Sequence, residues 1–181
     1  GTTGVKTCLF KIGKTIELIS AASEGYKLYI MPNGGAEQDP NEWWAAMCST
    51  SKKVIAESGV DPKNIYGISF CSQMQGLVLV DKVGNHVRRA FSYMDQRARE
   101  ELKEGIAHGF KIAGANVPKL LVSLKITGAV AASVKDPVWK YKWVEKHEPE
   151  NFKRVHKWLD VKEYFIARMT GEFCMTHDSA F

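Results

Sequence analysis

Ile65-Tyr-Gly-Ile-Ser-Phe-Cys-Ser-Gln-Met-Gln-Gly-Leu-Val-Leu-Val-Asp81, followed a few residues later by Phe91-Ser-Tyr-Met-Asp-Gln-Arg97, is the stretch from which the rest of the chain is read. The apolar run from Ile65 to Cys71 meets polar residues at Ser72 and Gln73. A helix is expected before it, ending at Gly59, and a short apolar run after a helix reads as a buried strand of a parallel sheet. Ligands of open α/β sheets sit just beyond the carboxyl ends of such strands, where Ser72, Gln73, Met74 and Gln75 fall. Gly76 then turns the chain into Leu77–Val80, and a third run, Ala90 to Met94, delivers Asp95 and Arg97. A carboxamide, a carboxylate and a guanidinium are thereby expected at one polar ligand. An amide donates and accepts and a carboxylate accepts twice, which suits a hydroxyl-rich molecule. The plainer reading of the same residues is a strand, loop and hairpin whose polar ends face water.

Working outward, Val5–Phe10 and Thr15–Ala22 read as strands of a hairpin turning at Gly13-Lys14. Gly13-Lys14-Thr15 resembles the tail of a Walker P-loop but fails as one. The glycine required five positions earlier is Cys8, and the residues after Thr15 read as β-branched strand, not helix. Tyr29–Gln38, with Pro32, Gly34 and Gly35, reads as an irregular crossing. Asp39-Pro40-Asn41-Glu42 is a strong helix start: Asp39 caps, Pro40 suits the first position and Glu42 completes a capping box. The inward stripe of that helix is read as Trp44, Met47, Cys48, Ser51 and Ile55.

Gln96–His108 is charged and helical, and Gly109–Val134 has no firm period, reading as surface loops and short helices or as a mobile cover. Asp136-Pro137 starts a helix with Trp139 and Trp143 on one face and Lys140, Lys142 and Lys146 pointing elsewhere; His147-Glu148-Pro149 breaks it. Val155–Leu159 reads as a short strand. Asp160 caps a last helix with Val161, Tyr164, Phe165 and Met169 inward and Gly171 beyond its end. This order is α/β with a mixed sheet, and fits a ribonuclease H-like or actin-like domain in which Val5–Phe10, Thr15–Ala22, Ile65–Ser72 and Val155–Leu159 share one sheet.

The 181 residues suffice for one domain with a real core, and no apolar run approaches a membrane span. The four cysteines, Cys8, Cys48, Cys71 and Cys174, are too widely spaced for a zinc site, and a reduced, cytoplasmic chain without a disulfide framework is expected. The net charge is +5, and much of the excess lies among Trp139, Tyr141, Trp143, Phe152 and Trp158. Lysines interleaved with aromatics suit nucleic acid, but the helical spacing is that of an ordinary amphipathic helix, so nucleic acid and membrane are not expected partners.

Taken together these pieces resemble the FGGY carbohydrate kinases, closest to their xylulokinase-like branch, nearly end to end. Gly1-Thr2-Thr3-Gly4-Val5-Lys6 is similar to the family's opening Asp-x-Gly-Thr-Thr-x-x-Lys/Arg motif. Glu37-Gln38-Asp39-Pro40 with Trp43-Trp44 resembles the segment that opens its first helix. Gly67-Ile68-Ser69 and Ser72-Gln73-Met74-Gln75-Gly76 resemble its sugar-site strand and loop, and Tyr93-Met94-Asp95-Gln96-Arg97-Ala98 its Trp-x-Asp-x-Arg motif. Lys140–Trp143, the helix start at Leu159–Tyr164, Thr170-Gly171-Glu172 and Thr176-His177-Asp178-Ser179-Ala180 fit later landmarks.

The resemblance implies a ribonuclease H-like (actin-like ATPase) domain with helices on both faces of a mixed sheet and a largely helical insertion at roughly 96–150. It implies phosphoryl transfer from ATP with Mg2+ to a sugar hydroxyl, Gly1, Thr2, Thr3 and Lys6 cradling phosphate and Met74, Gln75, Asp95 and Arg97 binding a ketose. A pentulose such as xylulose is the first expectation. Two departures bear on the sugar: Gln75 stands where xylulokinases usually carry histidine, and Tyr93 replaces a common tryptophan. By the same resemblance the first strand, with its acidic residue, and the catalytic aspartate and second ATP-binding domain lie outside residues 1–181. A domain cut at both ends and inactive alone is therefore expected, and no residue here is assigned as catalytic base or metal ligand. A homodimer of the full-length enzyme stays open. The competing reading is a non-catalytic actin-like binding or regulatory module that kept the fold and lost the chemistry.

Overall fold

The computed structural model describes residues 1–107, 110–112, 115–128, 131–177 and 179. The chain divides into two compact units, Gly1–Leu28 with Gln38–Ser72 and Tyr29–Glu37 with Gln73–Phe181.

The first unit is a hairpin and a helix. Strands β1 (Gly4–Ile12) and β2 (Ile16–Gly25) pair antiparallel from Gly4↔Gly25 to Ile12↔Ile16, with a bulge at Leu9/Phe10. Helix α1 (Pro40–Ser58) starts where the sequence places it. Asp39 accepts a hydrogen bond from the backbone N of Asn41 at 2.8 Å, Pro40 opens the helix, and Gly59 ends it in the left-handed region at φ 66°. Its buried stripe is Trp43, Ala46, Thr50 and Val54, one position away from the expected Trp44, Met47, Cys48, Ser51 and Ile55, which are half-buried. The small side chains of Ala46 and Thr50 explain the shift, because they let the helix lie close to the hairpin. Thr50 Oγ1 reaches Thr7 Oγ1 at 2.7 Å while bonding back to the Ala46 carbonyl.

Beyond α1, a single 3-10 turn (Pro62–Asn64) leads into residues 65–72. The expected buried strand Ile65–Ser72 is not formed: these residues carry no strand hydrogen-bonding pattern, and Tyr66 is 97% and Ile68 65% exposed. An apolar run becomes a strand only where a neighbouring strand completes its ladder, and periodicity alone does not supply that neighbour.

The second unit holds the remaining elements. Tyr29–Gln38, read as an irregular crossing, contains the short strands β3 (Tyr29–Ile30) and β4 (Ala36–Gln38), which pair antiparallel. Strand β6 (Ala90–Phe91) joins β4. Strand β5 (Val78–Val80) pairs antiparallel with β9 (Lys157–Leu159), in the register Val78↔Leu159. Short strands β7 (Lys111–Ile112) and β8 (Ala115–Asn116) connect α2 (Arg99–Ala107) to α3 (Val117–Thr127). Helices α4 (Pro137–His147), α5 (Pro149–Phe152) and α6 (Val161–Thr170) complete the chain. The one shared sheet expected from sequence is therefore replaced by separate small sheets, β1–β2 forming one and β5–β9 another. The strands of the second unit, two or three residues long, carry too few ladder bonds to extend a sheet across the turns that separate them.

The core of this unit is Leu77, Leu79, Val87, Phe91 and Val144, with Tyr141, Trp143, Phe152, Val155 and Trp158 packed against it. The aromatic residues interleaved with lysines thus spend their apolar surface on the core. Phe91 meets the edge of Trp143 at 5.8 Å, and Tyr141 meets Phe152 at 5.1 Å. Lys142 and Lys146 face water, but Lys140, expected on the same polar side, is 0% exposed. In α6, Val161, Tyr164 and Phe165 are buried as expected. Met169 is 43% exposed instead, two residues past the last buried position, Ala167. All four cysteines are free. No described helix is long and apolar enough to cross a membrane.

Gly105, inside α2, lies against the indole of Trp139. A Cβ there would sit 2.1 Å from the Trp139 ring, whose Nε1 donates to the Ala131 carbonyl at 3.1 Å. Helix propensity alone would make Gly105→Ala stabilising by about 1 kcal/mol. The clash is expected to win, with a net loss of about 1–3 kcal/mol. Urea denaturation of the two proteins decides the sign.

Candidate functional site

Residues Gly1, Thr2, Thr3 and Lys6 lie in the first unit, at the entrance to β1. The carbonyl of Thr2 accepts from Gln38 Nε2 at 2.7 Å, and Gln38 is 0% exposed. The Tyr26 hydroxyl donates to the Gly1 carbonyl, and the Tyr26 backbone N to the Thr3 carbonyl at 3.4 Å. Burial pushes the Tyr26 phenol up to about 12, so it remains a donor throughout the physiological range. A Cβ on Gly4 would meet the Glu24 carbonyl at 2.7 Å, so the strand entrance needs glycine for β2 to approach. Three successive carbonyls are thus tied to the unit, and Thr3 and Lys6 are exposed.

The other four predicted residues lie in the second unit. Asp95 is 0% exposed, and every bond it makes is internal. Its Oδ2 accepts from the Ala36 backbone N at 2.8 Å and from Arg97 Nη2 at 2.7 Å; its Oδ1 accepts from the Arg97 backbone N at 3.0 Å. Arg97 Nη2 also donates to Glu37 Oε1 at 2.6 Å, and Glu37 in turn receives Arg88. Arg88 Nε reaches Glu148 at 2.9 Å. The Arg97 guanidinium lies over the rings of Phe91 and Trp143, at 4.6 and 4.5 Å from their centroids. Burial opposes its charge, but the bonds and charges of Asp95 and Glu37 outweigh that and raise its pKa.

Met74 and Gln75 form the tip of the loop before β5. Met74 is 56% exposed. Gln75 is the one non-glycine described residue with positive φ, at 60°. Such a conformation costs of order 1–3 kcal/mol and persists only where surrounding contacts enforce it. Here they do. Gln75 Nε2 donates to Asp136 Oδ1 at 3.0 Å, and the Gln75 carbonyl accepts from Lys140 Nζ at 2.8 Å. The next backbone N, of Gly76, donates to Asp160 Oδ1 at 3.2 Å. Gly76 is obligatory on steric grounds, since a Cβ would lie 2.8 Å from that same Asp160 oxygen.

Lys140 Nζ also donates to the Ser92 carbonyl at 2.9 Å, so one buried ammonium joins the Gln75 loop to the segment carrying Asp95 and Arg97. Burial pulls its pKa down to about 8, against the opposing charges of Asp95, Asp160 and Asp136. Sequence reasoning missed Lys140, Asp136 and Asp160 as parts of this site. The signal available was one carboxylate before each of two helices, read only as caps, and a lysine four residues after the first of them.

The chain belongs to the FGGY family of carbohydrate kinases. The model of that family's N-terminal domain matches residues 1–180. Among curated relatives, the xylulose kinase of Staphylococcus epidermidis is 29% identical over 99% of this chain and 33% of its own length, and that of Escherichia coli is 31% identical over 96% and 32%. Among solved structures, a "xyloylose kinase" from Brucella ovis superposes with a TM-score of 0.80 at 27% identity, covering 94% of this chain and 32% of that one. A gluconate kinase from Lactobacillus acidophilus gives 0.78 at 25% identity, covering 95% and 32%. The chain therefore spans about one third of the length of the relatives it matches. These likenesses establish the FGGY fold, an actin-like ATPase domain of mixed α/β composition, despite the small size of the individual sheets. Of the expected family landmark at Thr176–Ala180, Asp178 and Ala180 lie outside the described residues, while Thr176 Oγ1 donates to buried Glu163 at 2.9 Å.

Asp160 gives this FGGY domain a testable pH response. Burial raises its carboxyl from 3.8 to about 6, aided by the charge of Glu163 and opposed by the backbone N–H groups of Val161, Gly76 and Gln75. The folded state therefore holds the proton more tightly than the unfolded chain. Its contribution is greatest below pH ~4 and is lost as pH rises toward ~6, by on the order of 1–3 kcal/mol. Asp160→Asn keeps the acceptor oxygen and removes the titration, so its unfolding free energy should vary less between those pH values than that of the native chain. Denaturant titrations of both proteins across that interval measure the difference.

Proposed function

We propose that this chain supplies the sugar-binding site and phosphate loop of an ATP-dependent carbohydrate kinase that phosphorylates a hydroxyl of a ketose, a pentulose such as xylulose first of all. The family match over residues 1–180 carries this reading. The names of the relatives, xylulose kinases and a gluconate kinase, support a small polyhydroxylated substrate without fixing which one. In this reading residues 1–181 form the N-terminal, sugar-binding domain of the kinase, with residues 96–150 as its insertion.

The residues divide by role. Gln75, half-buried at the loop tip beside exposed Met74, offers the sugar an amide that donates and accepts. Asp95 and Arg97 are committed to each other and to Ala36 and Glu37, so their part is to hold the loop wall in shape. Gly1–Gly4 and Lys6 would take the phosphates of MgATP. The fit is chemical: with the carbonyls of Gly1, Thr2 and Thr3 turned to internal donors, phosphate meets hydroxyls and an exposed ammonium, not carbonyl oxygens. ATP with Mg2+ supplies the phosphoryl group, and in-line transfer depends on both substrates being held in register.

In the whole protein, Gln75→Ala is expected to lower kcat/KM for the sugar by about tenfold or more, leaving the KM for ATP unchanged, because a hydrogen-bond partner of a sugar hydroxyl is lost. Gln75→His should shift preference toward xylulose. Steady-state kinetics on a panel of ketoses and polyols reads both; a Gln75→Ala enzyme with unaltered constants for every sugar removes this loop from the sugar site. Conversely, Thr2→Ala should raise the KM for ATP severalfold with the sugar constants held, since one phosphate donor is lost.

A further inference from the structure

We propose that Lys140, with Asp136 one turn before it, is a positioning residue for sugar binding: the start of α4 grips Gln75 by its carbonyl and its amide and so sets the affinity for sugar. The inference rests on the reading of Gln75 as a sugar contact.

Four observations lead to it. Lys140 is 0% exposed, and its ammonium donates to two carbonyls, Gln75 O at 2.8 Å and Ser92 O at 2.9 Å. Those carbonyls belong to the two segments that the sequence singled out, the Met74–Gly76 loop and the Phe91–Arg97 segment. Asp136 holds the Gln75 amide at 3.0 Å, and its other oxygen accepts from the Ser133 backbone N at 2.8 Å, which fixes the carboxylate itself. Finally, Gln75 sits at φ 60°, a conformation an L residue keeps only when held.

A buried lysine is costly, and a core that needed only bulk at this place would use leucine or methionine. The ammonium provides what those cannot: donors to two main-chain oxygens at once, with a strength that a neutral donor does not match. The negative charges of Asp95, Asp136 and Asp160 around it favour the charged form in spite of burial. The Gln75 side chain is thereby presented in one orientation before sugar arrives, and the ordering cost is met in the fold instead of on binding.

The test compares three variants of the whole protein with the native enzyme, using whichever sugar it phosphorylates best. Lys140→Met is expected to raise the sugar KM by at least about tenfold, the loss of a charge-assisted bond, with the ATP KM within about twofold of native. Asp136→Ala, at a half-buried position and so tolerant of substitution, is expected to raise the sugar KM about three- to tenfold in the same selective way. If Lys140→Met does not fold, Asp136→Ala carries the test alone. A residue that merely supports the core would lower the melting temperature and leave both KM values in place, and that result overturns the proposal. Gln75→Ala is the third variant. Where it raises the sugar KM and neither α4 variant does, the positioning role falls and the sugar site stands. Where none of the three moves it, the sugar-site reading itself fails and the positioning role with it.

Discussion

Asp95 is a carboxylate with no access to water, and the second unit is built to make that tolerable. Burying an unpaired charge costs several kcal/mol, so each oxygen must be met by donors. Arg97 meets both, the backbone of Ala36 meets one, Glu37 then shares the charge of Arg97, and Arg88 in turn balances Glu37. The consequence is geometric. The ends of β4 and β6 and the segment up to Arg97 are locked together by bonds that work only at one spacing. The Phe91 and Trp143 rings close over the guanidinium. Lys140 extends the lock to the Gln75 loop through the Ser92 carbonyl. A network of this kind adds little net stability compared with an apolar core of equal volume. What it adds is a fixed wall beside a strained loop.

That division of labour changes how the polar residues are understood. Gln75, Asp95 and Arg97 look equivalent in sequence, as three polar groups at the ends of apolar runs. In the folded chain, Gln75 is half-buried with its backbone held in an unusual conformation, while Asp95 and Arg97 are spent on each other. The phosphate-loop candidates follow the same logic in the first unit, where Gln38 and Tyr26 take up the carbonyls of Gly1–Thr3. In both places, backbone oxygens and buried charges are satisfied from within, and the side chains that remain toward solvent are the ones suited to a ligand.

Local chemistry was the legible part of the sequence. Asp39, Asp160, Gly59 and Gly171 mark helix ends because capping depends on a few adjacent residues. The β1–β2 hairpin and the strand within Val155–Leu159 were legible for similar reasons, but the expectation that they share one sheet is not met. Ile65–Ser72 was misread because strand formation is decided by a neighbour, and apolar composition does not encode one. The α1 stripe was misjudged by one residue because Ala46 and Thr50 are buried for their small size, which a hydrophobicity pattern undervalues. Lys140 was invisible as a site residue because the groups around its ammonium include the Gln75 and Ser92 carbonyls and the Asp95 carboxylate, which lie far from it in sequence.

In the function proposed above, the Met74–Gly76 loop, held by α4 and by the Asp95 network, receives the sugar. A crystal structure of the whole protein with a pentulose bound tests it most directly. Sugar hydroxyls are expected within hydrogen-bond distance of the Gln75 side chain, with Asp95 still paired to Arg97 and Lys140 still on the Gln75 and Ser92 carbonyls. A pentulose bound instead in the cleft lined by Asn33, Arg99, Glu101 and His147, with no contact to residues 74–76, would contradict it.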